Sequence, residues 1–191
     1  MRAASIVVMA SGEGSLAEAL IRVSQDGAPY EIAALITDRA GINALNRAER
    51  LGIHTVVVDF KSFGKREEWE SALISTVERF SPWLVVSAGF MRIISPRFLD
   101  RFKMINSHPS LLPLFPGAHP VADTLVAGAT ETGCSVHYVD AGVDSGPIIA
   151  QRKVVILDGD DEALLHERIK EVERVFLPEV VADLARAREN K

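Results

Sequence analysis

Apolar residues follow two rhythms along this chain, short unbroken runs and stretches with a helical period, and the two alternate. Ala3 to Ala10, Glu31 to Thr37, Ile53 to Phe60 and Trp83 to Gly89 are short runs rich in valine and isoleucine. Runs of that length without polar alternation predict strands covered on both faces, as in a parallel sheet. Between them, Leu16 to Val23, Ile42 to Leu51 and Phe63 to Phe80 have helical spacing. Gly52 stops the second of these, and Trp69, Leu73, Val77 and Phe80 form the stripe of the third. Regular alternation of strands and helices predicts an α/β fold: one open, mostly parallel twisted sheet, Rossmann-like, with helices on both faces.

The second half has a different pattern. Pro96 predicts a helix start, and Met104 to His108 reads as a strand tip. It runs into a loop stiffened by Pro109, Pro113, Pro116 and Gly117. Val121 to Ala127 predicts a short helix. From Glu131 to Asp140, Cys134, Val136 and Tyr138 alternate with Ser135, His137 and Val139, giving a strand with one more polar face. Ile148 to Leu157 follows the turn Ala141 to Pro147, so these two runs predict an antiparallel extension of the sheet. Asp160 and Asp161 open a last helical region with the stripe Leu165, Ile169, Val172 and Phe176. Pro178 either kinks that helix or starts a second, and the last residues, Arg188 to Lys191, are expected to fray.

Composition narrows the function classes. The 191 residues suit one domain with a sizeable core, 48% hydrophobic and 25% charged. A net charge of −5 argues against a general grip on nucleic acid. Cys134 is the only cysteine, so there is no intrachain disulfide, which suits the cytoplasm. No apolar run is long enough to span a bilayer, and the chain enters its first strand with only Arg2 of a charged leader, so neither membrane association nor a signal peptide is expected. Oligomeric state is left open between monomer and homodimer.

Candidate chemistry gathers at one rim. Ligands of open α/β sheets sit beyond the carboxyl ends of the strands, which places Ser11 to Ser15, Gly89 to Arg92 and Asn106 to His108 together. Ser11-Gly12-Glu13-Gly14-Ser15 between strand and helix is an anion-binding turn or a plain tight turn. Arg66 is a surface charge or a phosphate contact, and Met91, Ile93 and Ile94 are core or the walls of a slot around Arg92. Asn106, His108 and Asp144 together could run an acyl transfer by direct attack, with an amide on the oxyanion and a histidine–carboxylate pair for the proton. Zinc on His108, His119, His137 and Asp144 competes, but no compact metal spacing is present. A Cys134 nucleophile competes too, without a nucleophile elbow; a buried small hydrophobe is the plainer reading. His54 and His166 read as structural or surface residues.

Four segments occur in a familiar order: the glycine turn, Ala88-Gly89-Phe90-Met91-Arg92-Ile93, Asn106-Ser107-His108-Pro109-Ser110-Leu111-Leu112-Pro113, and Asp144-Ser145-Gly146-Pro147-Ile148. Together they resemble the folate-dependent phosphoribosylglycinamide formyltransferases of the formyltransferase superfamily, over nearly the whole chain. The resemblance implies one formyltransferase domain over residues 1–191: a phosphate-binding half over about 1–100, a folate and catalytic half over about 85–160, and a helical region over about 160–188. It implies formyl transfer from 10-formyltetrahydrofolate to the amine of glycinamide ribonucleotide in purine synthesis, without a metal. Asn106 and a protonated His108 would stabilise the oxyanion, with Asp144 raising the pKa of His108. Ser11, Gly12, Gly14, Ser15 and Leu16 would hold the ribonucleotide phosphate, and Glu173 its ribose. Met91, Arg92, Ile93 and Ile94, with Arg66, Asn106, Val139, Asp140 and Asp144, would hold the folate. Ser135 and His137 would support the catalytic groups from behind.

Two departures stand out. Leu16 occupies a position where the family usually has asparagine, so only backbone contacts to phosphate are expected there. Many members also continue for about a further strand pair beyond the last helix. Two relatives within the superfamily fit less well: a transfer-RNA formyltransferase needs an extra C-terminal domain and an RNA surface, and a formyltetrahydrofolate hydrolase an extra N-terminal domain. A non-catalytic nucleotide-binding module would keep the glycine turn but have no use for Asn106, His108 and Asp144 together.

Overall fold

The structure is a computed structural model that describes residues 3–189; Met1, Arg2, Asn190 and Lys191, which include part of the tail expected to fray, lie outside the described residues. Seven strands form one sheet: β1 (Ala4–Ala10), β2 (Tyr30–Thr37), β3 (Thr55–Val57), β4 (Leu84–Ser87), β5 (Met104–His108), β6 (Glu131–Tyr138) and β7 (Ile148–Val155). Their order is β3-β2-β1-β4-β5-β6-β7. β1 to β5 pair in parallel, while β6 and β7 add antiparallel. The α/β sheet and its antiparallel extension are therefore as the hydrophobic pattern predicts.

Helices α1 (Ser15–Gln25), α2 (Asn43–Arg50), α3 (Arg66–Glu78), α4 (Pro96–Leu99), α5 (Pro120–Val126) and α6 (Glu162–Glu189) cover both faces. Strand alternation divides the core. Ile6 and Val8 of β1 pack towards α1, α2, α5 and α6, while Val7 and Met9 pack towards α3 and α4. Trp69 anchors the second face: its ring is fully buried and its indole N–H donates to the Val58 carbonyl at 2.9 Å. Truncating it to alanine would cost about 3–5 kcal/mol.

The third strand differs from the sequence expectation, and the alternative left open at Pro178 is decided against a second helix. The third strand is only three residues long because the chain leaves the sheet after Val58 and enters a short 3-10 turn, Phe60–Ser62. Phe60 packs edge-on against Trp69 at 5.2 Å instead of extending the strand. At the other end, α6 continues through Pro178 as one 28-residue helix. Leu177, Val181 and Ala185 beyond and beside the proline are buried, and this tertiary packing outweighs the lost backbone hydrogen bond.

Candidate active site

β5 ends at the rim with side chains pointing to alternate faces. Ser107 turns towards α6, where its hydroxyl donates to Glu173 Oε1 at 2.5 Å. Asn106 and His108 turn the other way, opposite His137 and Ser135 of β6 in the strand register. A cavity of about 480 Å³ opens here, lined by Asn106, Ser107, His108, the 89–94 segment and the loop carrying Asp144. The size suits a small molecule.

Asp144 is the hub. Its backbone is left-handed at φ 51°, a conformation that a short polar side chain tolerates. Oδ2 accepts from the Gly117 N–H at 2.9 Å and lies 3.3 Å from His108 Nδ1. Oδ1 lies 3.4 Å from His137 Nε2 and 3.5 Å from Asn106 Nδ2. Burial of the Asp144 carboxyl opposes ionisation, but His137, the Gly117 N–H and the charge of His108 outweigh it and hold its pKa below the ordinary aspartate range.

Both histidines are oriented by carbonyls. His108 Nε2 lies 2.9 Å from the Phe115 carbonyl and His137 Nδ1 2.9 Å from the Tyr138 carbonyl. A carbonyl only accepts, so each of these nitrogens carries a hydrogen. That leaves His108 Nδ1 facing the carboxylate, where a second ring proton would sit. His137 Nε2 faces two groups, Asp144 Oδ1 at 3.4 Å and the Asn106 amide nitrogen at 3.3 Å: it donates to the carboxylate when it carries a hydrogen and accepts from the amide when it does not.

The glycine turn lies on the α1 side of the rim. Gly14 caps α1 with φ 74°, and a Cβ there would come within 2.5 Å of the Ala44 backbone. Only glycine fits. The first N–H groups of α1, at Ser15 and Leu16, have no helical acceptor and point out with the helix dipole behind them. The Ser11 hydroxyl is buried and accepts the Met91 N–H at 2.9 Å. It ties the turn to the 89–94 segment and leaves backbone groups as the turn's ligands.

On the same side Glu173 sits deep under Ser107, outside the cavity lining. Burial raises its pKa, against the lowering effects of Ser107, Lys170 and Arg174. The 89–94 segment presents exposed Met91 and Ile93 as apolar walls, with Val143 exposed across the cavity. Arg92 is partly spoken for: Nε donates to the buried Asp38 at 2.7 Å, and its guanidinium stacks 4.1 Å over Phe60. Asp38 is held below the ordinary aspartate range although burial opposes it, because Ser11, Arg92 and Arg39 surround it. Arg66 donates to the Ile93 carbonyl, so it braces this segment. Asp140 accepts from the Gly142 N–H at 3.0 Å and from the Ser145 hydroxyl at 2.8 Å, pinning the loop that carries Asp144. Val139 lines the cavity and packs against the core face that holds Phe98 and Met104, and Ile94 is buried.

The sequence-predicted residues thus converge, with exceptions. Cys134 is buried in β6, its thiol pushed up to about 12 by burial and Glu173, which is no state for a nucleophile. His119 lines the cavity without joining the Asp144 cluster. Among the described residues, no three histidine, cysteine or carboxylate side chains are arranged to hold a metal ion. His166 and Glu162 of α6 also line the cavity, although His166 reads in the sequence as a structural or surface residue. Ser107, the Gly117 N–H and the Phe115 carbonyl were not foreseeable as partners, since each is chosen by the fold of a loop.

The sequence profile described as "Formyl transferase" matches residues 4–181. The chain belongs to the formyl transferase family. Phosphoribosylglycinamide formyltransferase of Mycobacterium tuberculosis is 46% identical over 184 residues, covering 95% of this chain and 85% of the relative. Among solved structures, glycinamide ribonucleotide transformylase 1 from Symbiobacterium toebii matches with a TM-score of 0.94 at 36% identity, covering 97% of this chain and 89% of that one. Phosphoribosylglycinamide formyltransferase from Brucella melitensis matches with a TM-score of 0.92 at 40% identity, over 96% of both chains. As a formyl transferase, the chain is a group-transfer enzyme. Among the described residues, no helix is long and apolar enough to cross a membrane.

Proposed function

We propose that this formyl transferase moves the formyl group of 10-formyltetrahydrofolate to the amine of glycinamide ribonucleotide, in the purine pathway and in the cytoplasm. The observation that carries the proposal is the convergence of Asn106, His108 and Asp144 on one cavity beside a glycine-capped helix N-terminus.

The division of labour follows from β5. Glycine-turn N–H groups at Ser15 and Leu16 receive the phosphate on the α1 side, and Glu173 meets the ribose once Ser107, which covers it in the ligand-free chain, turns its hydroxyl aside. Residues 1–100 thus supply the phosphate side and 85–160 the folate side, with α6 closing the ribonucleotide site. The slot between Met91, Ile93 and Val143 takes the flat pterin, whose ring edge suits those backbone groups of residues 91–94 that Ser11 and Arg66 do not already engage. The folate supplies a formyl carbon attached to an amine nitrogen that departs with a proton.

In the reaction, the ribonucleotide amine attacks that carbon directly. Asn106 turns its amide N–H groups from His137 and Asp144 to the oxygen that becomes negative. His108, charged by a proton on Nδ1 and held by Asp144, stabilises the same oxygen and gives a proton to the leaving nitrogen, while the proton lost by the attacking amine passes through water and Asp144 back to His108. Proton delivery requires His108 to release either the Phe115 carbonyl or Asp144, so the loop must yield during turnover. His137 holds Asp144 from the opposite side.

The test is release of deformylated folate from a 10-formyl folate analogue, with and without glycinamide ribonucleotide. Release only with the ribonucleotide supports the transferase; release without it favours a formyltetrahydrofolate hydrolase.

A further inference from the structure

His108, Ser135 and Gln151 stand side by side across three strands: His108 pairs with Ser135 in the β5–β6 register, and Ser135 with Gln151 in the β6–β7 register. Ser135 and Gln151 do not touch His108. They hold the proline loop instead. The Ser135 hydroxyl donates to the Ser110 carbonyl at 2.6 Å and accepts the Leu112 N–H at 2.9 Å and a Gln151 N–H at 2.8 Å. Gln151 Nε2 also donates to the Leu112 carbonyl at 2.8 Å. Both polar groups of the Leu112 peptide are therefore fixed by side chains, where a loop has no ladder partner of its own.

The consequence appears three residues on. The Ser110 hydroxyl donates to the Leu114 carbonyl at 2.6 Å, and the chain passes through a left-handed Phe115 at φ 53°. That conformation aims the Phe115 carbonyl at His108 Nε2. A bulky residue does not hold a left-handed backbone without support from its surroundings. With the carbonyl in place, Nε2 must carry a hydrogen and Nδ1 must face Asp144.

We infer that Gln151, through Ser135 and the 110–115 loop, is a positioning residue that fixes the ring orientation and tautomer of His108. This rests on the role of His108 proposed above. It gives a purpose to an exposed glutamine on the edge strand β7, where a solvated residue would serve equally well for folding.

The test uses the ligand-free full chain and a readout independent of turnover. Gln151→Met keeps the side-chain length and removes both N–H donors. Two-bond nitrogen–proton NMR on the histidines, recorded at a pH where the ring is neutral, should show His108 of the unaltered chain carrying its single hydrogen on Nε2, and the Met variant losing that preference. Its kcat should fall about ten- to a hundredfold, with both KM values within about twofold, as expected for misplaced but present groups. An unchanged His108 signal overturns the inference whether or not kcat falls. If the Met variant does not fold, Ser135→Ala removes the Leu112 N–H acceptor and carries the same expectation and the same contradiction. Should the unaltered chain show no formyl transfer, the His108 signal still decides the positioning claim, while the proposed function fails separately.

Discussion

Asp144 Oδ2 stands 3.3 Å from His108 Nδ1 while accepting the Gly117 N–H at 2.9 Å, so one carboxylate joins the strand-borne histidine to two separate loops. The carboxylate acts as both an electrostatic partner and a latch.

Replacing Asp144 by asparagine keeps the shape and removes the charge. Turnover should fall by about 10²- to 10⁴-fold, the range of a lost acid–base partner. Circular dichroism and ribonucleotide binding, measured by calorimetry, should stay close to those of the unaltered chain. Near-normal turnover would remove Asp144 from the mechanism.

The latch also sets a pH dependence. Because the folded-state pKa of Asp144 lies below the ordinary 3.8, its contribution is fully present above that value and is lost as pH falls through the lowered one. Loop docking should therefore be constant from neutral pH down to about pH 4. Hydrogen exchange at Gly117 N–H across that range checks this; a loss of protection between pH 6 and 5 would contradict it.

Gly14→Ala should weaken both stability and the phosphate site. A left-handed alanine costs about 1–2 kcal/mol, and the clash with Ala44 at 2.5 Å adds to it. The thermal midpoint should drop and KM for the ribonucleotide rise, with KM for the folate little changed.

Glu173→Gln separates burial from binding. A carboxyl whose folded pKa is raised stabilises most below its ordinary 4.5, and that stability is lost as pH rises through the raised value. The glutamine variant should therefore show a flatter stability profile above pH 4.5 and no loss of stability at pH 7. Ribonucleotide affinity should fall if Glu173 meets the ribose, which urea unfolding and binding titrations measure side by side.

Much of this architecture is legible in the sequence where one force dominates. β1, β2 and β4 are continuous apolar runs because both faces are covered, and their periodicity needs no tertiary information. β3 is overestimated because Val58 and Phe60 are apolar for the sake of Trp69, not for the sheet. α6 passes through Pro178 because packing, which a local rule does not see, outweighs one missing donor. At the site, residue types point to Asn106, His108 and Asp144, but their meeting is a matter of register across β5 and β6. Arg92 shows the limit: its partner Asp38 lies 54 residues away, so no spacing rule pairs them. Gln151 is invisible in the sequence for a related reason, since a polar residue on an alternating edge strand reads as a solvated face.

The most direct measurement follows the formyl carbon itself. With 10-formyltetrahydrofolate labelled with carbon-13 in the formyl group, and glycinamide ribonucleotide present, carbon NMR should show the label arriving as an amide on the glycinamide nitrogen. The Asp144→Asn chain should show almost none in the same time. Label appearing as free formate, or an amide formed equally fast by the variant, would contradict the account.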